Sequence, residues 1–114
     1  LEELLYADII LVLIDANDGL YQLEKKFKNC FRILNEIGVE PNKMIFVLNK
    51  SESLSDDEIL SKANYLKFNE NKKWMAISAI TGKNINKLEK LINEYFQNNI
   101  LENKNDVSMN AYGN

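Results

Sequence analysis

The sequence predicts an α/β fold of three layers, in which helices connect the strands of a parallel sheet. Three apolar runs indicate the strands, at residues 9–14, 44–48 and 74–77. The first two runs are continuously hydrophobic rather than alternating, which is typical of strands covered on both faces by helices. Segments of helical periodicity flank and separate the runs. The expected order is therefore α-β-α-β-α-β-α, with about three strands and four helices.

The helical segments carry their own start and stop signals. Residues 1–6 are typical of the last turns of a helix, and a second helix from Leu20 ends where Gly38 and Pro41 follow it. Ser55 and Glu58 match a capping box that opens the third helix. The expected inward faces of the last two helices consist of Ile59, Leu60, Ala63 and Leu66, and of Leu88, Leu91, Ile92, Tyr95 and Phe96. We expect one domain over residues 1–96 and a polar, flexible tail over residues 97–114.

The composition excludes several classes of function. The 114 residues carry a formal charge of −3, which argues against binding nucleic acid through general basicity. There is no histidine and one cysteine, so Ser-His-Asp and Cys-His catalysis, the usual zinc sites and a disulfide within this chain are excluded. We interpret Cys30 as a core thiol in a reducing, cytoplasmic setting, because it falls within a helical apolar pattern. No apolar run is long enough to span a bilayer.

The first predicted strand raises a question about its neighbours. Right-handed crossovers between adjacent strands place both connecting helices on one face of the sheet, which leaves the first and last helices to cover the other face. The first strand would then lie at an open edge, although residues 9–14 are as apolar as a strand with neighbours on both sides. We therefore expect further strands upstream of residue 1, with this chain forming the second half of a larger α/β domain.

Two short polar motifs follow the second and third predicted strands. The tetrapeptide Asn-Lys-Ser-Glu occupies residues 49–52, and Ser-Ala-Ile occupies residues 78–80. In open α/β sheets, ligands bind beyond the carboxyl ends of the strands, which is where both motifs lie. An Asn-Lys-x-acid motif followed at this interval by Ser-Ala is the pattern with which GTP-binding domains hold guanine.

Each candidate residue has a chemical reason to contact guanine. The base presents an N1–H and an amino group side by side, and one carboxylate accepts from both, so Glu52 is the expected determinant of selectivity over adenine. Asn49 can bond the far edge of the purine, while the stem of Lys50 lies against the ring face. A backbone N–H in the loop at residues 78–80 can donate to the guanine carbonyl oxygen. The candidate guanine-binding residues are Asn49, Lys50, Glu52, Ser78, Ala79 and Ile80.

Each motif also has a purely structural explanation. The tetrapeptide at residues 49–52 could be a polar turn that leads to the helix cap at Ser55, and Ser78 could be a turn hydroxyl before Gly82.

Asp15 also stands at the end of a predicted strand. We interpret it as a turn-forming residue rather than a ligand, because Asn-Asp-Gly at residues 17–19 also signals a turn.

Taken together, the segments at residues 7–16, 33–38, 47–50 and 77–82 resemble the carboxyl-terminal half of a translation-factor-class P-loop GTPase domain, and most closely the HflX family. The similar region covers about residues 1–96. The resemblance implies a cytoplasmic GTPase with a guanine nucleotide as ligand, Mg²⁺ in the complete protein and the large ribosomal subunit as partner. It also implies that the helix before residue 7 belongs to the second switch region.

Two departures from the family pattern limit what the resemblance implies. The family's motif ends in Asp, whereas this chain has Glu52, whose extra methylene moves the carboxylate relative to the base. The chain also lacks a Gly-x-x-x-x-Gly-Lys-Ser/Thr loop and an Asp-x-x-Gly motif, so the phosphate-binding half is missing from it. Positioning the phosphates supplies almost all of phosphoryl-transfer catalysis. We therefore assign no catalytic residue and no metal ligand, and we expect the chain alone to be inactive as a GTP hydrolase.

Two alternative hypotheses remain open at this point. The chain could be a degenerate GTPase domain that acts only as a protein or ribosome interaction module, which the replacement of Asp by Glu52 favours. It could instead be a receiver-like domain with Asp15 as phosphoacceptor and Lys50 as its partner. That site would need further carboxylates at the end of an earlier strand to bind Mg²⁺, and the sequence has none there.

The substitution Glu52→Asp tests the cost of the longer side chain. We expect the variant to bind guanine more tightly or more selectively than the natural chain, because the shorter acid restores the usual angle between carboxylate and base. Titration of guanosine into both proteins, followed by NMR, measures the difference. Equal affinity and equal selectivity would show that Glu52 is not a weakened form of the motif.

Overall fold

The structure is a computed structural model that describes residues 2–97, apart from the side chains of Glu2 and Leu5. Its parallel sheet contains β1 (Ile10–Asp15), β2 (Met44–Asn49) and β3 (Lys73–Ala76) in that order. The α-helices are α1 (Leu20–Ile37), α2 (Asp56–Tyr65) and α3 (residues 85–97), and 3₁₀ turns cover Glu2–Tyr6, Pro41–Lys43 and Ser51–Ser53. This confirms the predicted α/β class and the order of the strands, while the first predicted helix is a 3₁₀ turn over Glu2–Tyr6. Residue 97 is helical, and the rest of the predicted tail lies outside the described residues.

The register of the sheet brings the carboxyl ends of its strands together. Asp15 at the end of β1 is paired with Asn49 at the end of β2, and Ala76 at the end of β3 is paired with Leu48. The ladder continues beyond β3, where the N–H of Ile77 donates to the carbonyl of Leu48 at 2.8 Å. The loops that leave the three strands therefore begin side by side at one edge of the sheet.

The larger core fills the space between the sheet and the helices α1 and α2. At its centre the rings of Phe27, Phe46 and Phe68 lie 5.1 to 5.2 Å apart, measured between centroids. Burial of each ring contributes roughly 1.5–3 kcal/mol, and each aromatic pair adds about 0.5–1.5 kcal/mol. Cys30 is partly buried and packs against this core, where burial raises the pKa of its thiol, so the predicted core thiol lies at the edge of the core.

The opposite face of the sheet is covered by α3, through a second cluster that includes Ile45, Val47 and Leu88. The first helix was expected to share this face, but Leu4 in the turn Glu2–Tyr6 packs against the core of α1 and α2 instead. One described helix is therefore left to cover this face.

No helix within residues 2–97 combines the length and hydropathy needed to cross a membrane.

The expectation that β1 is covered on both faces is wrong for the described part of the chain. Val12 and Ile14 are buried against α1, whereas Leu11 and Leu13 on the other face are 38% and 62% exposed. The cause is geometric, since α3 packs over β2 and β3 and no described element lies over β1 on that side. Among the described residues, β1 pairs with β2 alone and forms one edge of the sheet.

The helix boundaries follow from local chemistry. Gly38 ends α1 with a left-handed φ of 102°, a conformation that glycine adopts without a Cβ clash. Ser55 opens α2, where its hydroxyl accepts from the N–H of Glu58 at 3.2 Å, so the predicted N-cap is confirmed, while the carboxylate of Glu58 accepts from the Ser55 hydroxyl at 3.2 Å and not from its backbone N–H as in a full capping box. The inward face of α2 is narrower than expected, because Leu60 is 48% exposed beside the buried Ile59. One residue of helix turns the side chain by about 100°, which takes Leu60 off the buried stripe.

The N-cap at Ser55 makes a testable contribution to stability. We expect Ser55→Ala to lower the free energy of unfolding by about 1 kcal/mol, because the first turn of α2 loses a hydrogen-bond acceptor for one of its N–H groups. Unfolding by urea measures the change. Ser61→Ala is the matched control, since Ser61 lies exposed within the same helix, where alanine is the better helix former. An equal loss in both variants would contradict a capping role.

Candidate functional site

The candidate site is formed by the loops that follow the three strands, at residues 16–19, 50–55 and 77–84. Hydrogen bonds tie neighbouring loops together at their bases. The N–H of Ala16 donates to the carbonyl of Asn49 at 2.8 Å, and the N–H of Ser51 donates to the carbonyl of Ile77 at 3.1 Å. Each loop is thus fixed to the next one, and their outer parts form one continuous rim.

Asn49 and Lys50 make a sharp turn where β2 ends. Lys50 has left-handed backbone angles, with φ 64° and ψ 37°, which cost a residue with a side chain roughly 1–3 kcal/mol and persist when the surroundings hold them. The side-chain oxygen of Asn49 accepts from the N–H of Lys50 at 2.8 Å. The ammonium of Lys50 reaches across to the carboxylate of Asp15 at 3.3 Å. The turn is therefore stabilised from its own backbone and from the neighbouring loop.

Ser51 anchors the loop, and Glu52 stands at its surface. Ser51 is fully buried, and its hydroxyl donates to the carbonyl of Ile77 at 2.9 Å. Glu52, the next residue, is exposed. The hydroxyl of Ser78 and the backbone N–H of Glu52 lower the pKa of the Glu52 carboxyl below its usual value. The acid therefore stays ionised and is directed toward the loop that follows β3.

The loop after β3 is organised around Ser78. Ser78 is buried, its hydroxyl accepts from the N–H of Thr81 at 3.1 Å, and its carbonyl accepts from the N–H of Gly82 at 2.9 Å. The N–H of Ser78 donates to the carbonyl of Lys83 at 3.1 Å and is thus engaged within the loop. Ala79 and Ile80 lie exposed at the rim. Their N–H groups are therefore better placed than that of Ser78 to meet a ligand.

The structure brings the sequence-predicted residues together on two adjacent loops. Asn49, Lys50 and Glu52 lie on one, and the Ser78 loop lies on the other, joined through Ser51. Asp15 acts as a turn-forming residue, as predicted, because its carboxylate accepts from the N–H of Asn17 at 2.9 Å. This hydrogen bond is the main reason that the pKa of the Asp15 carboxyl is lowered, with a smaller contribution from Lys50.

Two further residues of the site were missed by the sequence analysis. The side chain of Asn17 contacts the loop at residues 50–55, named the tetrapeptide loop below, at Lys50 and Ser53. Lys62 on α2 donates to the carbonyls of Ala16 and Asp18 on the β1 loop. The sequence predicts Asn17 as part of a turn, and Lys62 carries no motif. Their partners are distant in sequence, so local patterns give no signal for either contact.

The described residues offer no ligand set for a metal ion. Within residues 2–97, no three His, Cys, Asp or Glu side chains cluster closely enough to hold one. The pair of Asp15 and Lys50 exists, as the receiver-like hypothesis requires, but the further carboxylates of such a site are not found beside it in this part of the chain. The Mg²⁺ that accompanies a bound GTP is held by a phosphate-loop Ser or Thr and a further Asp, and because the sequence has neither motif, its residues do not fit that ion.

Comparison with known proteins supports a GTPase-domain fold. The chain is 30% identical over 66 residues to GTPase HflX from Thermofilum pendens, an alignment that spans 58% of this chain and 16% of that protein. It superimposes on the crystal structure of a GTP-binding protein from Sulfolobus solfataricus in complex with GDP, with a TM-score of 0.70 and 25% identity. That superposition covers 82% of this chain and 32% of the other. No family model matches the sequence.

These similarities confirm two predictions from the sequence. The resemblance to HflX-family GTPases is confirmed by the sequence relative, and the fold class, part of a P-loop GTPase domain, is confirmed by the structural neighbour. The chain spans about a sixth of the curated relative that it matches. The similarity therefore concerns one segment of such a protein.

The ionisation of Glu52 can be measured directly. We expect its carboxyl carbon to titrate by NMR below the usual glutamate pKa of about 4.3, because the Ser78 hydroxyl stabilises the charged form. A lowered pKa in the folded state means that the associated stability is present above the usual value and is lost as the pH falls through the lowered one. Ser78→Ala should raise the midpoint toward the usual value.

Ser61→Ala is the matched control, since Ser61 lies exposed on α2, away from Glu52 and its loop. A midpoint that Ser78→Ala leaves in place, or that Ser61→Ala raises equally, would show that Ser78 is not the cause of the shift.

Proposed function

We propose that this chain is the guanine-recognition segment of an HflX-like GTPase. The observation that carries the proposal is the position of Glu52, an exposed carboxylate next to Ser51, which ties its loop to the carbonyl of Ile77 at the carboxyl ends of adjacent parallel strands. This is where ligands bind in open α/β sheets. The GDP bound to the structural neighbour makes a guanine nucleotide the ligand class that fits the comparison.

The geometry supports a division of roles among the site residues. Glu52 would accept from the N1–H and amino group of guanine, the pair of donors that adenine lacks. The N–H groups of Ala79 and Ile80, on the exposed rim, would donate to the guanine carbonyl oxygen. Asn49 would contact the opposite edge of the purine. The stem of Lys50, whose ammonium is paired with Asp15, would lie along the ring face.

The complete protein would need phosphate contacts from another segment. The sequence has no phosphate loop and no Asp-x-x-Gly motif, so we propose that such elements add a strand at the free edge of β1. The exposure of Leu11 and Leu13 supports this, because an added crossover helix would cover that face. In the same proposal, Mg²⁺ and its ligands belong to the added segment. A large-ribosomal-subunit partner and a cytoplasmic location rest on the family resemblance alone.

A second candidate function is favoured by one observation. Glu52 replaces the usual Asp, and a longer acid could mark a site that no longer selects guanine. The chain would then serve as an interaction module, with the apolar face of Leu11 and Leu13 as a contact surface. The two functions differ in base discrimination, which only the first requires.

Nucleoside binding by the 114-residue chain tests the proposal. Guanosine, inosine and adenosine are titrated separately into ¹⁵N-labelled protein. Nucleosides are the appropriate probes because the proposed contacts involve the base alone. We expect shifts at residues 49–52 and 78–80 with guanosine, weaker shifts with inosine, which lacks the amino group, and still weaker shifts with adenosine. Losing one hydrogen bond to a charged group corresponds to roughly a tenfold loss of affinity.

Glu52→Gln is the informative variant, because it keeps the length of the side chain and loses the double acceptor. We expect it to bind guanosine and inosine equally. Glu58→Gln is the matched control on the neighbouring cap, where the acid faces Ser55 and not the site. Equal shifts with all three nucleosides in the natural chain would refute guanine recognition and leave the interaction module as the better function.

A further inference from the structure

Asn17 contacts the tetrapeptide loop on both sides of Glu52. Its side-chain amino group donates to the carbonyl of Lys50 at 3.1 Å, and its side-chain oxygen accepts from the hydroxyl of Ser53 at 2.7 Å. Lys50 and Ser53 bracket the two residues between them, of which Ser51 is already fixed by burial. A single carboxamide therefore holds both ends of the short segment that carries the carboxylate.

The backbone of Asn17 is itself held on both sides by Lys62. The ammonium of Lys62 donates to the carbonyl of Ala16 at 2.5 Å and to the carbonyl of Asp18 at 3.1 Å. These are the residues immediately before and after Asn17. The ammonium is partly buried, so the two contacts are less exposed to competition from water than those of a surface lysine.

A third restraint acts on the same residue. The N–H of Asn17 donates to the carboxylate of Asp15 at 2.9 Å, and the other oxygen of that carboxylate lies 3.3 Å from the ammonium of Lys50. Its backbone is thus fixed by Asp15 and Lys62, while its side chain is directed to Lys50 and Ser53. Contacts from three separate elements, β1, α2 and the tetrapeptide loop, meet at one short turn.

We infer that Asn17 and Lys62 are positioning residues that set the guanine selectivity of Glu52. Neither side chain is placed in contact with the guanine base. Lys62 fixes the turn, the turn fixes the carboxamide of Asn17, and the carboxamide fixes the segment with Glu52. A carboxylate accepts from two adjacent donors at once only within a narrow range of positions, so preorganisation decides selectivity. The inference rests on the proposed function and adds the residues through which that function is controlled.

A merely structural role predicts a different result. If Asn17 and Lys62 only joined loops, their loss would lower the free energy of unfolding and leave the preference between bases unchanged. Guanosine and inosine differ in the amino group alone, so the ratio of their affinities reports the position of the carboxylate. That ratio is the readout that a structural role does not alter.

The experiment measures the affinity of the 114-residue chain for guanosine and inosine by NMR titration, with urea unfolding in parallel. Lys62→Met keeps the stem and removes the donors, and Lys62→Arg keeps a cationic donor. We expect Lys62→Met and Asn17→Ala each to weaken guanosine binding about three- to tenfold and to reduce the preference over inosine, the size expected for one hydrogen bond. Lys62→Arg should restore most of the preference.

Lys72→Met is the matched control. Lys72 also donates to a backbone carbonyl, that of Lys67 at 3.2 Å, but it precedes β3 and lies at the end of the sheet away from the site. We expect this variant to keep both affinities. Combining Asn17→Ala with Lys62→Met should cost no more than the larger single change, because residues that act in series are not additive.

The outcomes separate the inference from the function beneath it. A natural chain that does not prefer guanosine overturns the proposed function and this inference with it. A natural chain that prefers guanosine, together with Asn17→Ala and Lys62→Met variants of unchanged preference, overturns the inference alone. Because Asn17 is exposed, Asn17→Ala still decides the question if Lys62→Met does not fold. Fully additive losses would contradict a single path from Lys62 to Glu52.

Discussion

The burial of the first five residues of β2 is the constraint on which the rest of this structure depends. The five residues from Met44 to Leu48 are each at most 1% exposed, and the strand is hydrogen-bonded to β1 on one side and to β3 on the other. Phe46 faces the aromatic cluster, while Ile45 and Val47 face α3. A slip of one residue would exchange these two faces, so the register is fixed. Because the register is fixed, Asn49 has one position at the edge where the loops meet.

The strands could be predicted from the sequence to within one residue, because the signals for a buried strand and a capped helix are local. The strand lengths follow from continuous apolar runs, and the start of α2 follows from Ser55 and Glu58. The covering of β1 could not be predicted in this way, since it depends on where Leu4 packs. An apolar strand indicates that its two faces suit burial, and it does not indicate which element will cover them.

The same distinction applies to the site. Its exposed residues could be predicted because the tetrapeptide at residues 49–52 has a chemical pattern that guanine requires. The residues that hold this segment in place could not, since Asn17 is 33 positions from Lys50, and Lys62 is 46 positions from Ala16. The left-handed backbone of Lys50 was also unpredictable, as no glycine marks it. Contacts from distant segments stabilise that turn, and sequence periodicity carries no information about them.

The frame of the site is independent of any phosphate-binding element. It is built from two buried hydroxyls, those of Ser51 and Ser78, and within residues 2–97 every buried side-chain nitrogen and oxygen has a hydrogen-bond partner. Because these contacts are satisfied inside the protein, the loops that carry the site residues are held in place without a ligand. Contacts to a base alone are few, however, and ordering a free nucleoside costs several kcal/mol. On the proposed assignment, this segment therefore supplies selectivity, and most of the affinity comes from the phosphates.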